Sequence, residues 1–204
     1  MGRYLGPKVK ICKRFGVAIF DKVDRWAAHP GRELTSTKKR SSKTSAYAEG
    51  LAEKQKLKQI YGILERQFRR YMEAAARTKG NTATALVLIA ESRLDNVVYR
   101  AGFAVSRQAA RQMVSHGHIR VNDKKVDVAS FLVEPEMTIT LAARDKSKKL
   151  AANALAVTRS QKLPSWLQVD GDGETASIKV LNKPNVDEME FQVDIAKIIE
   201  LMSK

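Results

Sequence analysis

The side chains in this sequence whose types and spacing suit a chemical task are basic, and that task is the binding of phosphate groups. Arg107 and Arg111 lie four residues apart in a segment with helical periodicity, so their side chains share one face. They fall near the start of that helix, where the partial positive charge of the N-terminus favours anions. Arginine can also hold a phosphate through two parallel hydrogen bonds. We therefore expect a phosphate site here, against the alternative of an ordinary solvated basic helix.

The next predicted element adds further basic side chains to this candidate site. A short strand pattern follows the helix and carries Arg120, and Lys124 and Lys125 lie in the turn after it. A helix and a hairpin side by side could clamp a phosphate backbone from two elements. Because the nearby aromatic residues Phe103 and Phe131 are predicted to be core, we expect recognition of RNA shape and backbone rather than stacking on single-stranded bases.

No metal site or catalytic set is predicted. His116 and His118 could be metal ligands, but zinc sites need three or four ligands and no further Cys or His lies nearby. We interpret these histidines as phosphate or ribose contacts, or as surface residues. The sequence has no glycine-rich phosphate loop of Walker or Rossmann spacing. It predicts a binding protein with no cofactor and no small-molecule substrate, not an enzyme.

The excess of positive charge is concentrated in the first part of the chain. The 204 residues include 37 Lys and Arg against 22 Asp and Glu, a net charge of +15. Residues 1–80 carry +13, residues 81–150 carry +4 and residues 151–204 carry −2. Because the first 80 residues largely lack acids, their self-repulsion is uncompensated. We expect this segment to contact a polyanion, although a charge run can also be a solvated face.

A membrane or secreted protein is not predicted. The apolar stretch Ala85–Ala90 is far shorter than the roughly 18 residues that a membrane-spanning helix needs. The first residues lack the apolar core of a signal peptide. The single cysteine, Cys12, excludes disulfides within the chain and suits a reducing compartment. We expect a cytosolic protein without a membrane partner.

Periodicity and turn residues divide the chain into segments. Residues 1–45 predict an extended basic arm, with one short helix near 18–28, that orders on RNA. Residues 46–91 show helical periodicity, interrupted at Gly62 and ending one helix at Gly80. The later predicted elements are a helix from Ser92 to Gly102 with a capping-box-like Ser92 and Asp95, a helix at 107–115 capped by Ser106, strands at 118–121, 126–128 and 138–141, a helix at 146–160, strands at 166–169 and 176–181, and a helix or strand at 194–202.

Several segments resemble a known family. SRLDNVVYRAGF, from Ser92 to Phe103, and SRQAARQMVSHGHIRVN, from Ser106 to Asn122, resemble the compact RNA-binding module named after small-subunit ribosomal protein S-four. The further matches to the bacterial S-four family are Gly2–Lys8, Glu53–Gly62, Leu64–Arg70, Lys79–Asn81 and Pro164–Leu167. The resemblance covers essentially the whole chain.

The resemblance implies both a fold and a function. The implied fold is α+β: a basic arm at 1–45, a helical domain at 46–91 packed with a short α/β C-terminal segment at 150–204, and a helix–helix–β-sheet RNA-binding module at 92–149. Family members bind 16S rRNA directly and early, nucleate the body of the small ribosomal subunit, and lie near the region where mRNA enters, beside ribosomal proteins S-five and S-three. The S-five contact bears on translational accuracy. The implied location is the cytoplasmic ribosome.

The sequence departs from the family in the arm. Some members bind zinc through four arm cysteines, whereas only Cys12 is present here, which again implies no metal. The family's Pro-Gly-x-His-Gly loop survives only as Pro30-Gly31, followed by Arg32-Glu33-Leu34. The path of the arm is therefore expected to differ from the family's between about residues 25 and 45.

The charge map and the resemblance together give a set of candidate rRNA-binding residues in the arm, the helical domain and the module. They are Arg3, Tyr4, Lys8, Lys10, Lys13, Arg14, Lys54, Lys56, Lys58, Arg66, Arg69, Arg70, Arg93, Arg107, Arg111, His116, His118, Arg120, Lys124 and Lys125.

Three other protein classes fit the sequence less well. A pseudouridine synthase with the same module needs a catalytic domain, and neither the residues before the module nor those after it carry a catalytic set. A factor that binds stalled large subunits would be shorter and would lack the block Glu53–Arg70. A membrane-surface protein would need a strongly amphipathic lysine-rich helix with large apolar residues.

Overall fold

A computed structural model describes residues 4, 6–20, 23, 27–29, 34, 45–158 and 162–203. Within these ranges the chain forms eight α-helices and one five-stranded antiparallel sheet, which confirms the predicted α+β class. None of the helices in the described ranges is long and apolar enough to cross a membrane.

The helices and strands are mostly short. The helices are α1 (Lys8–Phe15), α2 (Ala46–Tyr61), α3 (Glu65–Arg77), α4 (Thr82–Glu91), α5 (Leu94–Arg100), α6 (Arg107–Ser115), α7 (Asp145–Thr158) and α8 (Ile195–Met202). The strands are β1 (Ile119–Val121), β2 (Lys124–Lys125), β3 (Thr138–Leu141), β4 (Leu167–Asp170) and β5 (Ser177–Val180). Two short 3-10 helices span Gly173–Thr175 and Val186–Glu188.

The chain divides into two compact units. The first consists of residues 1–83 with 191–204, and the second of residues 84–190. The expectation that all of 150–204 packs with the helical domain is wrong for residues 150–190. β5 pairs with β3, with Ile178 opposite Ile139, so these residues extend the sheet of the second unit. The apolar alternation of residues 176–181 predicts a strand, but it does not predict which strand will pair with it.

In the first unit, α2 and α8 pack against each other. α2 begins where Ser45 accepts a hydrogen bond from the Ala48 N–H at 3.3 Å, and it ends at Gly62, whose φ of 61° is left-handed. Gly50 allows the closest approach, because a Cβ there would lie 2.8 Å from the carbonyl oxygen of Lys197 on α8. The segment that the sequence left open as a helix or a strand is therefore a helix.

Helix α1 lies in the part of the arm that was predicted to be extended. Cys12 is fully buried, Lys13 and Arg14 lie in the last turn, where cations interact favourably with the helix dipole, and Gly16 with φ of 67° ends the helix. The prediction of an extended conformation is wrong for these residues. Much of the short helix predicted near residues 18–28 lies outside the described residues.

The second unit is built on a sheet of strand order β2-β1-β3-β5-β4. Its inner face packs with apolar side chains of α5 and α6 in one core. At the β1–β2 hairpin, Asn122 and Asp123 have φ of 47° and 61°, the conformation of a two-residue turn between twisted strands. This short turn puts Lys125 directly opposite Arg120, so the second strand is Lys124–Lys125 and the strand predicted at 126–128 is wrong.

Of three further helix ends predicted from the sequence, one is observed and two are not. Ser106 caps α6 by accepting a hydrogen bond from the Ala109 N–H at 3.2 Å, as predicted. The capping box of Ser92 and Asp95 is wrong, because the N-cap residue of α5 is Arg93 and the Asp95 carboxylate instead binds the Arg93 guanidinium. α3 ends at Arg77, three residues before the predicted stop at Gly80.

Candidate nucleic-acid interface

One side of α3 is a stripe of exposed arginines. The buried side chains of this helix are Phe68, Tyr71, Met72 and Ala75. The exposed basic side chains, which recur at helical spacing on the opposite side, are Arg66, Arg69, Arg70 and Arg77. Glu73 is the exposed acidic residue on this side of the helix. The structure therefore presents four guanidinium groups together along about three turns of one helix.

Two lysines of α2 that were predicted to contact RNA are bound within the chain. The Nζ atoms of Lys54 and Lys58 lie 2.9 and 2.6 Å from the two carboxylate oxygens of Glu65. Burial disfavours the charged form of Glu65, but the hydrogen bonds from Lys58 and Lys54 outweigh it and lower the pKa of Glu65 to about 2. The single carboxylate of Glu65, which also lies 3.8 Å from the Nε of Arg69, therefore holds both lysines and neutralises their charge only in part.

Lys56 is also used within the first unit. Its Nζ donates a hydrogen bond of 2.6 Å to the carbonyl oxygen of Gln192 and lies 3.8 Å from the carboxylate of Glu53. Glu53 in turn accepts a hydrogen bond from the Asp194 N–H at 3.0 Å. Lys56 therefore helps to fasten the segment that precedes α8, and it is not displayed on the surface as predicted.

The described arm residues differ in exposure. Tyr4, Lys10 and Arg14 are exposed, whereas Lys13 is partly buried. The Nζ of Lys8 lies 5.4 Å from the centre of the Phe20 ring, a cation–π contact. Arg3, which was also predicted, lies outside the described residues.

In the second unit, Arg93 is a structural residue rather than a surface one. Its side chain is only 2% exposed, and its guanidinium binds both carboxylate oxygens of Asp95, with Nε 2.9 Å from Oδ1. The prediction that Arg93 contacts RNA is wrong for this structure, because a phosphate cannot reach it. Arg111 is partly exposed, and its Nη1 lies 3.9 Å from the same Asp95 carboxylate. Asp95 thus interacts with both Arg93 and Arg111, which were each predicted to contact RNA.

Arg107, the first residue of α6, is held by three groups of its own unit. Its Nε donates to the side-chain oxygen of Asn96 at 3.0 Å, and its Nη2 lies 2.8 Å from a carboxylate oxygen of Glu190. Its guanidinium also lies over the Tyr99 ring, 4.5 Å from the centre, and the Tyr99 hydroxyl donates to Glu190 at 3.1 Å. A carboxylate therefore already occupies the anion position that the sequence predicted for a phosphate.

The outer face of the sheet carries exposed cations. Arg120 on β1 lies directly opposite Lys125 on β2, and both are exposed. Lys124 is exposed as well, but it lies opposite Val121 and therefore belongs to the other face of the hairpin. Lys179 on β5 is exposed on the same face as Arg120. Lys179 was not among the predicted contacts, although its alternation with buried Ile178 and Val180 would have assigned it to the outer face.

The two predicted histidines lie close together. Their ring centres are 6.2 Å apart, and the Nδ1 of His118 lies 2.8 Å from the hydroxyl oxygen of Ser147. Burial, and then the charges of His116 and Arg144, lower the pKa of His118. Within the described part of the chain, no group of three or more His, Cys, Asp or Glu side chains could hold a metal ion.

Proteins of the small ribosomal subunit resemble this chain along its whole length. "Small ribosomal subunit protein uS4" of Kosmotoga olearia is 41% identical to it, that of Thermoanaerobacter pseudethanolicus 42% and that of Thermus thermophilus 40%. Each alignment covers 100% of this chain and 100% of the relative. The chain belongs to the uS4 family. The family resemblance inferred from the sequence is thereby confirmed.

Two family models divide this uS4 chain at one point. "Ribosomal protein S4/S9 N-terminal domain" matches residues 3–91, and "S4 domain" matches residues 92–139. The arginine stripe of α3 lies in the first match, whereas α6 and the β1–β2 hairpin lie in the second. Both candidate surfaces of this uS4 chain therefore fall within family-matched segments, while β4 and β5 lie beyond them.

Proposed function

We propose that this chain binds 16S rRNA directly, through the arginine stripe of α3 in its first unit and through α6 with the β1–β2 hairpin in its second. Membership of the uS4 family makes it a structural component of the small ribosomal subunit, and so a protein of the cytoplasmic ribosome. The observation that carries the RNA-binding proposal is the α3 stripe, where four arginines are exposed opposite a buried apolar face.

The physical basis of the proposal is the neutralisation of backbone phosphates. A stripe of exposed guanidinium groups repels itself, and a phosphate backbone relieves that repulsion while releasing its own counterions. The proposed contacts in the second unit also use arginine and lysine, which bind phosphates without reading sequence. The residues proposed to contact rRNA are Tyr4, Lys8, Lys10, Lys13, Arg14, Arg66, Arg69, Arg70, Arg77, Arg107, Arg111, His116, His118, Arg120, Lys124 and Lys125.

The salt dependence of binding tests this proposal. We expect the double variant R66Q/R70Q to weaken binding to 16S rRNA and to reduce the slope of log affinity against log salt by about 0.9 for each phosphate that is no longer neutralised. The matched control is K162Q/K183Q, which removes the same charge from two exposed lysines outside the proposed surfaces. Equal reductions of affinity and slope in both double variants would contradict the proposal.

The finer role that we propose is early binding during assembly. The chain would bind before most other proteins, nucleate the body of the subunit, lie near the region where mRNA enters beside ribosomal proteins S-five and S-three, and with S-five influence translational accuracy. Reconstitution of small subunits with this protein omitted tests the first part, since later proteins should then fail to join the body. Measurement of misreading by reconstituted subunits that carry surface charge variants of this protein tests the second part, and unchanged error rates would refute it.

A further inference from the structure

The second unit contains a half-open groove between α6 and α7 whose volume is about 350 Å³. Its floor is formed by the buried apolar side chains Phe103, Met113 and Ala154. Two large apolar side chains on its rim, Val105 and Leu150, are 42% and 48% exposed. This volume lies within the range of about 300–1,000 Å³ that is usual for sites of small organic groups. The exposed apolar side chains of Val105 and Leu150 give an occupant of the groove apolar surface to cover.

The polar groups of this groove are of two kinds. Gln112 and Asn153 line it from facing helices and are exposed, so each offers an amide donor and a carbonyl acceptor to an occupant. His116 and His118 also line the groove, with their ring centres 6.2 Å apart. Among the described residues, no acidic side chain lines the groove. Its electrostatic character therefore suits a ligand with a flat apolar body, a hydrogen-bonding edge and an attached anion.

We propose that the groove between α6 and α7 binds an unpaired nucleobase of the RNA, with the adjoining phosphate at His116 and His118. The inference rests on the proposed function, since the base is supplied by the RNA bound there. The two faces of a base are apolar and its edge carries donors and acceptors, which is the combination that the exposed Val105 and Leu150 and the two amides offer. An apolar protein segment would fill the floor but would offer no phosphate to the N–H groups of the two imidazoles.

This proposal changes the role of one aromatic residue. Phe103 was expected to be core, and its side chain is indeed fully buried, but it also forms part of the groove floor. Shape and backbone recognition by the basic surfaces can therefore coexist with one base-specific contact. The groove lies beside His116 and His118, which already belong to the proposed contact set, so a bound base would be continuous with the proposed phosphate contacts.

The test uses the full chain, 16S rRNA and two matched variants of α7. Leu150→Glu places a carboxylate on the rim of the groove, whereas Val157→Glu makes the same charge change at an apolar position that is 61% exposed and does not line it. Because a carboxylate at position 150 should keep the base out of the groove, we expect about tenfold weaker rRNA binding for L150E and less than twofold for V157E. Gln112→Ala, which changes no charge, should weaken binding about threefold, as expected for one neutral hydrogen bond. Equal effects of L150E and V157E would overturn the proposal.

A second measurement reports the occupant itself. The imidazole C–H signals of His116 and His118 should shift in the proton NMR spectrum when hexaadenylate or hexauridylate is added, and they should not shift in L150E. An abasic hexanucleotide and inorganic phosphate are the probes for the phosphate alone. Equal shifts with these probes, or shifts only with a leucine-rich amphipathic peptide, would overturn the proposal. Failure of the unmodified chain to bind rRNA at all would refute the proposed function instead.

Discussion

The ion pair between Arg107 and Glu190 gives a quantitative prediction about RNA binding. An rRNA phosphate that binds the Nη2 of Arg107 must displace the Glu190 carboxylate, which lies 2.8 Å from that atom. The free energy of this pair therefore opposes binding. Glu190→Gln removes the charge and most of this opposition while keeping an oxygen that can accept from Tyr99. We therefore expect E190Q to bind 16S rRNA more tightly than the unmodified chain.

The size of the gain follows from the exposure of the pair. A hydrogen-bonded charge pair that is fully buried is worth about 1.5–3 kcal/mol, and a fully exposed one about 0–1 kcal/mol. The side chain of Arg107 is 13% exposed and that of Glu190 32%, so solvent screens the pair partly. A value of about 1 kcal/mol is appropriate, which corresponds to about fivefold in the dissociation constant.

The assay is a double-mutant cycle in rRNA affinity at fixed salt. It compares the unmodified chain, R107Q, E190Q and R107Q/E190Q, with D187N as the control. Asp187 lies in the same segment and is exposed, so D187N changes the net charge equally without touching Arg107. The gain of E190Q over D187N should vanish when Arg107 is absent. A gain that persists in the R107Q background, or no gain over D187N, would refute the reasoning.

Three further predictions concern stability. Glu65→Gln should lower the free energy of unfolding at pH 7 by about 1 kcal/mol, a value discounted for the 38% exposure of Glu65. Because the pKa of Glu65 is lowered in the folded chain, its charge stabilises the fold at neutral pH, and the difference between the variant and the unmodified chain should fade as the pH drops from about 4.5 towards 2. A pH-independent difference in urea titrations would contradict this. Arg93→Ala should cost about 3 kcal/mol, because it removes the guanidinium that binds both oxygens of buried Asp95 and leaves only Arg111, 3.9 Å away, to compensate that charge. The folded fraction should bind rRNA normally, and weaker binding without instability would instead restore Arg93 as an RNA contact. Gly50→Ala should destabilise the chain by about 1–3 kcal/mol, whereas the same change in an open helix stabilises it, and thermal unfolding gives the sign directly.

Local features could be predicted from the sequence, while partners distant along the chain could not. Ser106 caps its helix through the backbone three residues later, a contact that depends only on neighbouring residues. Arg107, by contrast, was identified as a free anion site because nothing in its own segment reveals Glu190, which lies 83 positions later. The spacing predicted where Arg107 lies on its helix, but it could not show that a carboxylate of the same chain forms an ion pair with it.

The same limit explains the lysines of α2. Their spacing correctly placed them on a helix, but the turn at Gly62 brings Glu65 back within 2.9 Å of Lys54. A count of charges over a segment cannot register this, because it treats each lysine as exposed to solvent. The arginines of α3 were predictable for the opposite reason: Phe68 and its buried companions fix which side of the helix faces inward, and the exposed side follows.

The packing of α8 on α2 has a consequence for the order of synthesis. Because residues 191–204 complete a unit that starts in the first part of the chain, the whole second unit is inserted into the sequence of the first. All of residues 84–190 are therefore synthesised before α8, the helix that packs against Gly50. During that interval the surface of α2 destined for α8 is uncovered, whereas the second unit already has its own sheet and core with which to fold. We therefore expect the second unit to fold before the first unit is complete, although translation of the first unit begins earlier.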